Sequence, residues 1–198
     1  MKTKSIYVSR GNMKVKASIF NLPCGITCKA GLSCHKYCYA KKAERLYPNV
    51  KPCRLNNLEQ SKGLTFIDDM TKLLSKRKSE YIRVHESGDF YSESYILKWY
   101  SICRRLPNKT FYAYTKRDDL FNADILANKP KNLILLRSID GIQTGKVSKR
   151  VPKGYDKLVY THETNNNCPA IKSNKIKCMV DCVKCATSKK EVIIFKKH

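Results

Sequence analysis

Eight of the ten cysteines in this sequence lie in two short segments, one near each end of the chain. The first group has the spacing C-x3-C-x5-C-x3-C, and the second has the spacing C-x9-C-x3-C-x2-C. The members are Cys24, Cys28, Cys34 and Cys38, and then Cys168, Cys178, Cys182 and Cys185. Thiolates are soft ligands that bind zinc and iron–sulfur clusters, so we predict that both groups hold metal.

An acidic turn follows a predicted strand at 81–85 and precedes a helix capped by Ser92. Ligands bind beyond the carboxyl ends of strands in α/β sheets, so this turn is a candidate cofactor site. The residues predicted to bind a cofactor are Glu86, Ser87, Gly88 and Asp89. The residues predicted to act in catalysis are His85, Glu86 and Asp89. The alternatives are a capping role for Asp89 or Ser92 and a packing role for His85.

Two short basic segments are candidates for nucleic-acid contacts. One follows the last cysteine of the first group, on a predicted short helix, and the other follows a strand that carries two tyrosines. The residues predicted to bind nucleic acid are Lys41, Lys42, Arg45, Tyr114, Lys116 and Arg117. Tyrosines interleaved with cations are typical of surfaces that bind phosphates and stack bases. Alternation along the strand, with tyrosine packed in the core, is the alternative.

The periodicity of apolar residues predicts alternating strands and helices between the cysteine groups. The strands are predicted at 17–22, 81–85, 110–114, 133–136, 158–161 and 192–195, and the helices at 65–76, 92–106 and 118–127. This order predicts an α/β fold, either an open parallel sheet or a partial (β/α) barrel. We expect an α/β domain at residues 1–162, with the cysteine loop at 24–38. Residues 163–198 are then a cysteine-rich, metal-binding extension packed on the same sheet.

Basic residues far outnumber acidic residues. The sequence has 40 Lys and Arg against 16 Asp and Glu, a formal net charge of +24. Two tetrathiolate metal sites would remove only about four units of this charge. The remaining positive field attracts polyanions, so it predicts a nucleic-acid or nucleoprotein partner. A solvated, lysine-rich surface is the alternative.

The sequence shows no segment typical of export or membrane insertion. Residues 1–10 are polar and basic, and no apolar run approaches the ~18 residues of a membrane span. We therefore expect a cytoplasmic protein without a membrane partner. Disulfides are disfavoured in the cytoplasm, which again favours metal ligation by the grouped cysteines.

Several longer strings resemble one family of phage proteins. They are N-L-P-C-G-I-T-C, C-Y-A-K-K-A-E-R-L-Y-P-N-V, R-V-H-E-S-G-D-F-Y-S-E-S-Y-I-L-K-W, F-Y-A-Y-T-K and C-P-A-I. Across residues 19–185 the chain resembles the family named after gene product eighty-eight of mycobacteriophages. The resemblance implies a phage or mobile-element origin, hence the cytoplasm of a bacterial host, and a cysteine-ligated metal site. The family pattern keeps Cys28, Cys34 and Cys38 and tolerates other residues at Cys24, which implies three ligands and one open position.

Three thiolates with an open metal position also resemble radical S-adenosylmethionine enzymes. Those enzymes use C-x3-C-x2-C, whereas this chain has C-x5-C-x3-C. This looser resemblance implies a [4Fe–4S] cluster, S-adenosylmethionine as cofactor, and Glu86 and Asp89 holding its amino group. A structural zinc bound by all four thiolates is the alternative for the first group. The second group is expected to hold a fully ligated [4Fe–4S] cluster or a zinc ion, and the alternative is a single site surrounded by all of these cysteines.

Two functions of different classes agree with these features. The first is a phage iron–sulfur protein, similar to radical S-adenosylmethionine enzymes, that binds nucleic acid or a nucleoprotein. The second is a non-enzymatic phage inhibitor of a host defence nuclease, similar to an anti-CRISPR protein. Its partner would be an RNA-guided nuclease complex, and its metal sites would be purely structural.

Overall fold

The computed structural model of the protein describes residues 5–147 and 150–196. Within these residues seven strands form one sheet, and their order follows the chain. The strands are β1 (Val8–Ser9), β2 (Ser18–Phe20), β3 (Tyr81–Val84), β4 (Thr110–Thr115), β5 (Leu133–Gln143), β6 (Lys157–His162) and β7 (Glu191–Lys196). The helices are α1 (Tyr39–Leu46), α2 (Val50–Lys62), α3 (Phe66–Ser75), α4 (Glu93–Arg105), α5 (Ala123–Ala127) and α6 (Pro169–Lys172), with short 3-10 helices at Ser33–Tyr37 and Lys184–Ala186.

The sheet is mostly parallel. Strand β1 runs antiparallel to β2, and every later neighbouring pair from β2 to β7 is parallel. The prediction of an α/β fold built on a parallel sheet is therefore confirmed. A sequential strand order is common to both predicted forms, the open sheet and the partial barrel.

Helices α3 and α4 cover one face of the sheet with an aromatic core. Trp99 packs edge-on against Phe20, Phe66 and Phe111, at centroid distances of 5.5, 6.0 and 6.3 Å. Ser92 begins α4 as predicted, because its hydroxyl oxygen accepts from the Tyr95 N–H at 3.2 Å. Full burial of such rings contributes about 1.5–3 kcal/mol each, so this face anchors the strands.

The cysteine-rich C-terminal segment covers the opposite face. Side chains alternate along a strand, so Tyr112 points away from the helices while Phe111 and Ala113 pack under them. Tyr112 belongs to a second buried cluster that includes Cys168 and Met179. The chain then returns as β7, which pairs along its whole length with β6. The predicted C-terminal extension therefore provides both a covering layer and the last strand.

The boundaries of several elements differ from those predicted. Strand β5 extends to Gln143, with an irregular register against β6 between Ser138 and Ile142. Helix α5 is shorter than predicted, and helix α2 was not predicted. Among the described residues, no helix combines the length and apolar character needed to cross a membrane.

Candidate functional site

The loops that follow β2, β3 and β4 meet at one edge of the sheet, beside the last part of β5. Because these strands are parallel, their carboxyl ends lie side by side. Hydrogen bonds join each of these loops to a neighbour, as described below. This edge carries the first cysteine group and the acidic turn, so it is the candidate functional site.

The acidic turn after β3 is fixed against the end of β2. The Asn21 side-chain oxygen accepts from the N–H groups of Glu86 and Ser87, at 2.7 and 2.9 Å. The Ser87 hydroxyl donates to the Leu22 carbonyl at 2.9 Å. Gly88 has φ +78°, and a Cβ there would lie 2.6 Å from the Thr27 hydroxyl oxygen. Glycine is therefore required where the turn touches the cysteine loop.

Asp89 joins the turn to the end of β4. One carboxylate oxygen accepts from the Phe90 N–H and the Thr115 hydroxyl, both at 2.8 Å, and the other accepts from the Lys116 N–H at 2.9 Å. Burial raises the pKa of Asp89 to about 6, although these hydrogen bonds act in the opposite direction. A carboxylate with three internal donors acts as a clamp between strands, which supports a positioning role.

Glu86 lies on the rim of the site. Its side chain is 23% exposed, and its carboxylate accepts from the Asn12 amide at 2.8 Å and lies 3.7 Å from the Arg83 guanidinium. The hydroxyl of Tyr39, the first residue of α1, donates to the Glu86 carbonyl. Of the predicted catalytic residues, Glu86 is therefore the one whose carboxylate reaches the surface of the site.

His85 is buried in the aromatic core instead. Its ring lies 4.9 Å from Phe90, and its Nε2 is 2.9 Å from the Tyr95 hydroxyl. Burial, with a smaller effect of the Arg83 charge, lowers the pKa of His85 to about 3. This environment favours the packing role over the catalytic role.

Asp140 holds the first cysteine loop against β5. Its carboxylate accepts from the Ser33 N–H at 2.6 Å and from the Cys34 N–H at 3.2 Å. Lys116, at the end of β4, donates to the Ser138 hydroxyl at 3.0 Å. Asp140 therefore ties the loop to β5, and the Lys116–Ser138 hydrogen bond ties the end of β4 to β5.

The four N-terminal cysteines are electrostatic neighbours, since Cys38 acts on both Cys24 and Cys28, and Cys28 acts on Cys34. Burial raises the pKa of Cys28 and raises that of Cys34 to about 11, while the nearby Lys116 ammonium lowers both. The charge of Cys38 raises the pKa of Cys28 in turn. Lys116 therefore lies where it can offset thiolate charge on Cys28 and Cys34.

Cys24 has a different environment from the other three. Its thiol is buried against Glu44, and burial followed by the Glu44 charge raises its pKa to about 12. Glu44 also accepts from the Cys24 N–H at 3.2 Å and from Arg54 at 3.0 Å. Carboxylates also raise the pKa values of Cys28, through Asp89, and of Cys34, through Asp140, so all four thiols have an acidic neighbour or share a cysteine neighbour.

The four C-terminal cysteines gather on the face opposite the helices. The backbone of Cys178 forms isolated β-bridges with that of Val15 and that of Cys182. The charges of Cys168 and Cys182 both raise the pKa of Cys178. The Tyr114 hydroxyl hydrogen-bonds to the Cys185 sulfur, whose pKa burial raises to about 11. Arg83 stacks on the Tyr114 ring, 5.1 Å from its centroid.

Two unpaired donors lie beside the C-terminal cysteine group and suit a thiolate-bound metal there. Within the described residues, no three Cys, His, Asp or Glu side chains already stand in metal-ligand geometry. However, the buried Tyr112 hydroxyl and the Arg83 Nε have no hydrogen-bond partner, and both residues lie within the field of Cys178 and Cys185. Metal-bound thiolates would accept from these donors, as such groups commonly do around metal sites.

The predicted nucleic-acid residues divide into two sets. The exposed set, all on α1, is Lys41, Lys42 and Arg45. Tyr114 packs on Tyr112 and Phe195, which favours the packing alternative. Arg117 binds Asp119 at 2.9 Å and the Phe90 carbonyl at 2.9 Å. The side chains of the second set, Tyr114, Lys116 and Arg117, therefore make contacts within the protein.

Sequence reasoning missed several residues that build the site. They are Asn21, Thr27, Tyr39, Arg83 and Asp140. The Asp140-Gly141 pair lies inside β5, at the register irregularity between Ser138 and Ile142, and is the kind of local signal that marks such an irregularity. The others carry no local signal, because their partners are distant in the sequence.

Comparison with known proteins supports the phage resemblance. The model of the Gene product 88 family matches residues 2–194. The Gene 88 protein of Mycobacterium phage L5 is 32% identical over 131 residues, which cover 58% of this chain and 54% of that protein. The Gene 88 protein of Mycobacterium phage D29 is 31% identical over 155 residues, 70% of this chain and 64% of that protein. The chain thus spans less than two-thirds of either relative, and no solved structure matches it.

Proposed function

Since the chain belongs to the Gene product 88 family of phage proteins, we propose that it is an iron–sulfur protein that binds nucleic acid or a nucleoprotein. The proposal includes a partial (β/α) barrel similar to that of radical S-adenosylmethionine enzymes. The activity and the partners of the whole protein are likewise proposed.

One observation carries the metal part of the proposal. Asp140, in the last part of β5, holds the first cysteine loop, and the Lys116 ammonium, just after β4, acts on both Cys28 and Cys34. This is the edge at which parallel sheets bind ligands. A cation at this position suits a thiolate centre of net negative charge.

The cysteines would be shared between two centres. Cys28, Cys34 and Cys38 would hold a [4Fe–4S] cluster with one open position, while Cys24 stays with Glu44. When bound, such a cluster supplies electron transfer to a small molecule, here S-adenosylmethionine, at its open iron. The second centre would use all four cysteines of the C-terminal group, which are Cys168, Cys178, Cys182 and Cys185.

The remaining residues of the site would bind and position the small molecule. Glu86 presents a carboxylate at the rim that suits the amino group of S-adenosylmethionine. Gly88 brings backbone close to the cysteine loop, and the Asp89 clamp keeps the ends of β3 and β4 in register. Ser87 supports the turn through the Leu22 carbonyl.

Metal and sulfide analysis of anaerobically purified protein tests the iron–sulfur assignment. We expect about four irons and four sulfides per occupied cluster, with a visible iron–sulfur absorption band. Cys34→Ser should lose the iron of the first centre. Cys53→Ser is the matched control, because Cys53 lies on α2 outside both groups. Stoichiometric zinc without iron would overturn this assignment.

The Glu86→Gln variant separates the enzymatic proposal from the non-enzymatic alternative. Loss of S-adenosylmethionine binding with unchanged iron content supports a cofactor role for this carboxylate. If the wild-type protein binds no S-adenosylmethionine and Glu86→Gln still inhibits a host defence nuclease, the anti-CRISPR-like function takes its place. Asp89 is unsuitable for this test because its substitution would break three internal hydrogen bonds.

A further inference from the structure

The surface next to the first cysteine group combines exposed aromatic rings with cations. Among the described residues, four aromatic side chains are strongly exposed: Tyr7, Tyr37, Tyr39 and Tyr47, at 57, 52, 62 and 60%. Three of these four lie within one segment of the chain, on or beside α1. An exposed tyrosine ring offers a face that a nucleic-acid base can stack on.

Exposed cations alternate with these rings. Lys36 precedes Tyr37, Lys41 and Lys42 follow Tyr39, and Arg45 lies two residues before Tyr47. Lys41 and Arg45 are four residues apart on α1, so they lie on the same side of the helix. We call these seven residues the basic–aromatic surface: Lys36, Tyr37, Tyr39, Lys41, Lys42, Arg45 and Tyr47.

The acidic groups nearest this surface are few and already paired: Glu44 with Arg54, Glu86 with Arg83, and Asp140 with the Ser33 and Cys34 N–H groups. Between residues 25 and 55 the one carboxylate in the sequence is Glu44. Its side chain is only 11% exposed and lies 3.0 Å from Arg54. The exposed cations of the surface are therefore available to phosphates.

The surface is continuous with the candidate site. Tyr39 is both strongly exposed and bonded through its hydroxyl to the Glu86 carbonyl on the rim. The Lys41 side chain approaches to 3.7 Å of a Cβ position at Gly25 in the cysteine loop. Lys36 and Tyr37 lie between Cys34 and Cys38 in the sequence. A nucleic-acid strand bound at this surface would pass directly beside the first cysteine group.

We propose that the basic–aromatic surface binds single-stranded nucleic acid, with bases stacked on the three tyrosines. In a duplex the bases are already stacked on each other, so only an unpaired strand can use these rings. This inference rests on the nucleic-acid part of the proposed function and names both the surface and the form of nucleic acid. The bound nucleic acid would then lie along α1 and away from Tyr114 and Arg117.

Fluorescence anisotropy with the full chain tests the stacking contribution. The probes are a labelled oligodeoxythymidine of about 15 nucleotides and a duplex of the same length. The wild-type protein should bind the single strand about tenfold more tightly or better. Tyr37→Ala, Tyr39→Ala and Tyr47→Ala should each weaken that binding by about fivefold or more. Tyr7→Ala removes an equally exposed ring elsewhere and should leave binding unchanged.

A second set of variants tests the charge contribution. The triple change Lys41→Gln, Lys42→Gln and Arg45→Gln should reduce the slope of log affinity against log salt by about two, at about 0.7 per phosphate contact. The matched control removes the same charge at the opposite edge of the sheet. It carries Lys72→Gln, Lys76→Gln and Lys78→Gln, near the end of α3, and should keep the wild-type slope.

The outcomes separate this inference from the proposed function. If the wild-type protein binds neither probe, the nucleic-acid part of the proposed function fails, and this inference fails with it. If it binds but the α1 variants match their controls, the basic–aromatic surface is wrong while nucleic-acid binding stands. Equal affinity for duplex and single strand, with no effect of the tyrosine variants, overturns stacking.

Discussion

At the scale of single residues, the site is built from contacts that only particular side chains allow. Gly88 meets two constraints, a positive φ and contact with both Thr27 and Leu22. Asp89 accepts three hydrogen bonds from the loop and the neighbouring strand. The turn thus owes its shape to glycine backbone freedom and to a buried carboxylate.

Substitution of Gly88 should show how tightly the turn and the cysteine loop are packed. Gly88→Ala places a Cβ 2.6 Å from the Thr27 hydroxyl oxygen and 2.7 Å from the Leu22 Cβ. We expect the free energy of unfolding to fall by about 2–4 kcal/mol from strain and overpacking together. Gly145→Ala is the control, because Gly145 has φ +66° and open space around its Cβ position. That control should lose about 1 kcal/mol in chemical denaturation, and equal losses would contradict the predicted clash.

His85 should make the stability of the protein depend on pH. Its pKa is about 3 in the folded protein and 6.5 when unfolded, so the unfolded state binds more protons between these values. The His85 contribution to stability is complete above pH 6.5 and is lost as pH falls towards 3. Between pH 7 and pH 5 the loss is about 2 kcal/mol.

The comparison with His85→Phe isolates this effect from that of Asp89. The raised pKa of Asp89 acts in the opposite direction, because its stabilising protonated form is lost as pH rises through about 6. Both proteins retain Asp89, so the difference between their unfolding free energies should change with pH through His85 alone. A constant difference from pH 7 to pH 5 would exclude a neutral, buried His85.

At the scale of elements, the strand ends were predictable because apolar runs and turn residues mark them. The acidic turn was placed correctly after β3 for this reason, and Ser92 was placed correctly at the start of α4. The grouping of the cysteines into metal sites stays a prediction that depends on their spacing alone. These features depend on local sequence.

Helix α2 was not predictable because its buried face is polar. Its buried residues include Arg54 and Asn57, whose hydrogen-bonding partners are remote in the sequence. Asn57 donates to the carbonyls of Tyr7 and Asn21, at 2.8 and 3.0 Å, and accepts from the Tyr7 N–H at 2.9 Å. Methods that look for an apolar stripe find none here. The pairing of Asp140 with Ser33, 107 residues apart, was hidden for the same reason.

The Asp140 carboxylate should control the order of the first cysteine loop. Asp140→Ala removes the acceptor of two backbone N–H groups, those of Ser33 and Cys34. Hydrogen bonds to charged groups contribute about 1.5–3 kcal/mol, so the free energy of local opening of the loop should fall by about that amount. Hydrogen exchange at these two amides should accelerate, while amides of β3 stay protected.

Asp118→Ala provides the control for that experiment. Asp118 pairs with Arg137 at the exposed surface near the same strand ends, and such pairs contribute about 0–1 kcal/mol. Its substitution removes one carboxylate without touching the cysteine loop. Faster exchange at Ser33 and Cys34 in both variants would point to a general loss of charge rather than to the Asp140 hydrogen bonds.

At the scale of the whole molecule, one sheet carries two unlike layers. Helices α3 and α4 bury an apolar, aromatic core on one face, with Trp99 fully buried. The other face is covered by residues of the C-terminal extension, where Cys168 is buried and Cys178 and Cys185 are partly buried in a smaller apolar cluster. The second layer therefore has fewer apolar contacts to hold it, and a metal would supply the missing cross-links.

Metal removal should therefore loosen the C-terminal layer before the helical layer. Chelation under reducing conditions should accelerate hydrogen exchange at Cys178 and Met179, whose N–H groups bond to the carbonyls of Lys14 and Cys182. Amides of β3 should change less, because the core under α3 and α4 remains. A loss of about 3 kcal/mol would lower Tm by roughly 6–12 °C for a chain of this size. Protein prepared without metal should not respond to the chelator. If elemental analysis shows the metal removed while exchange at Cys178 and Met179 stays slow, protein packing alone holds this layer in place.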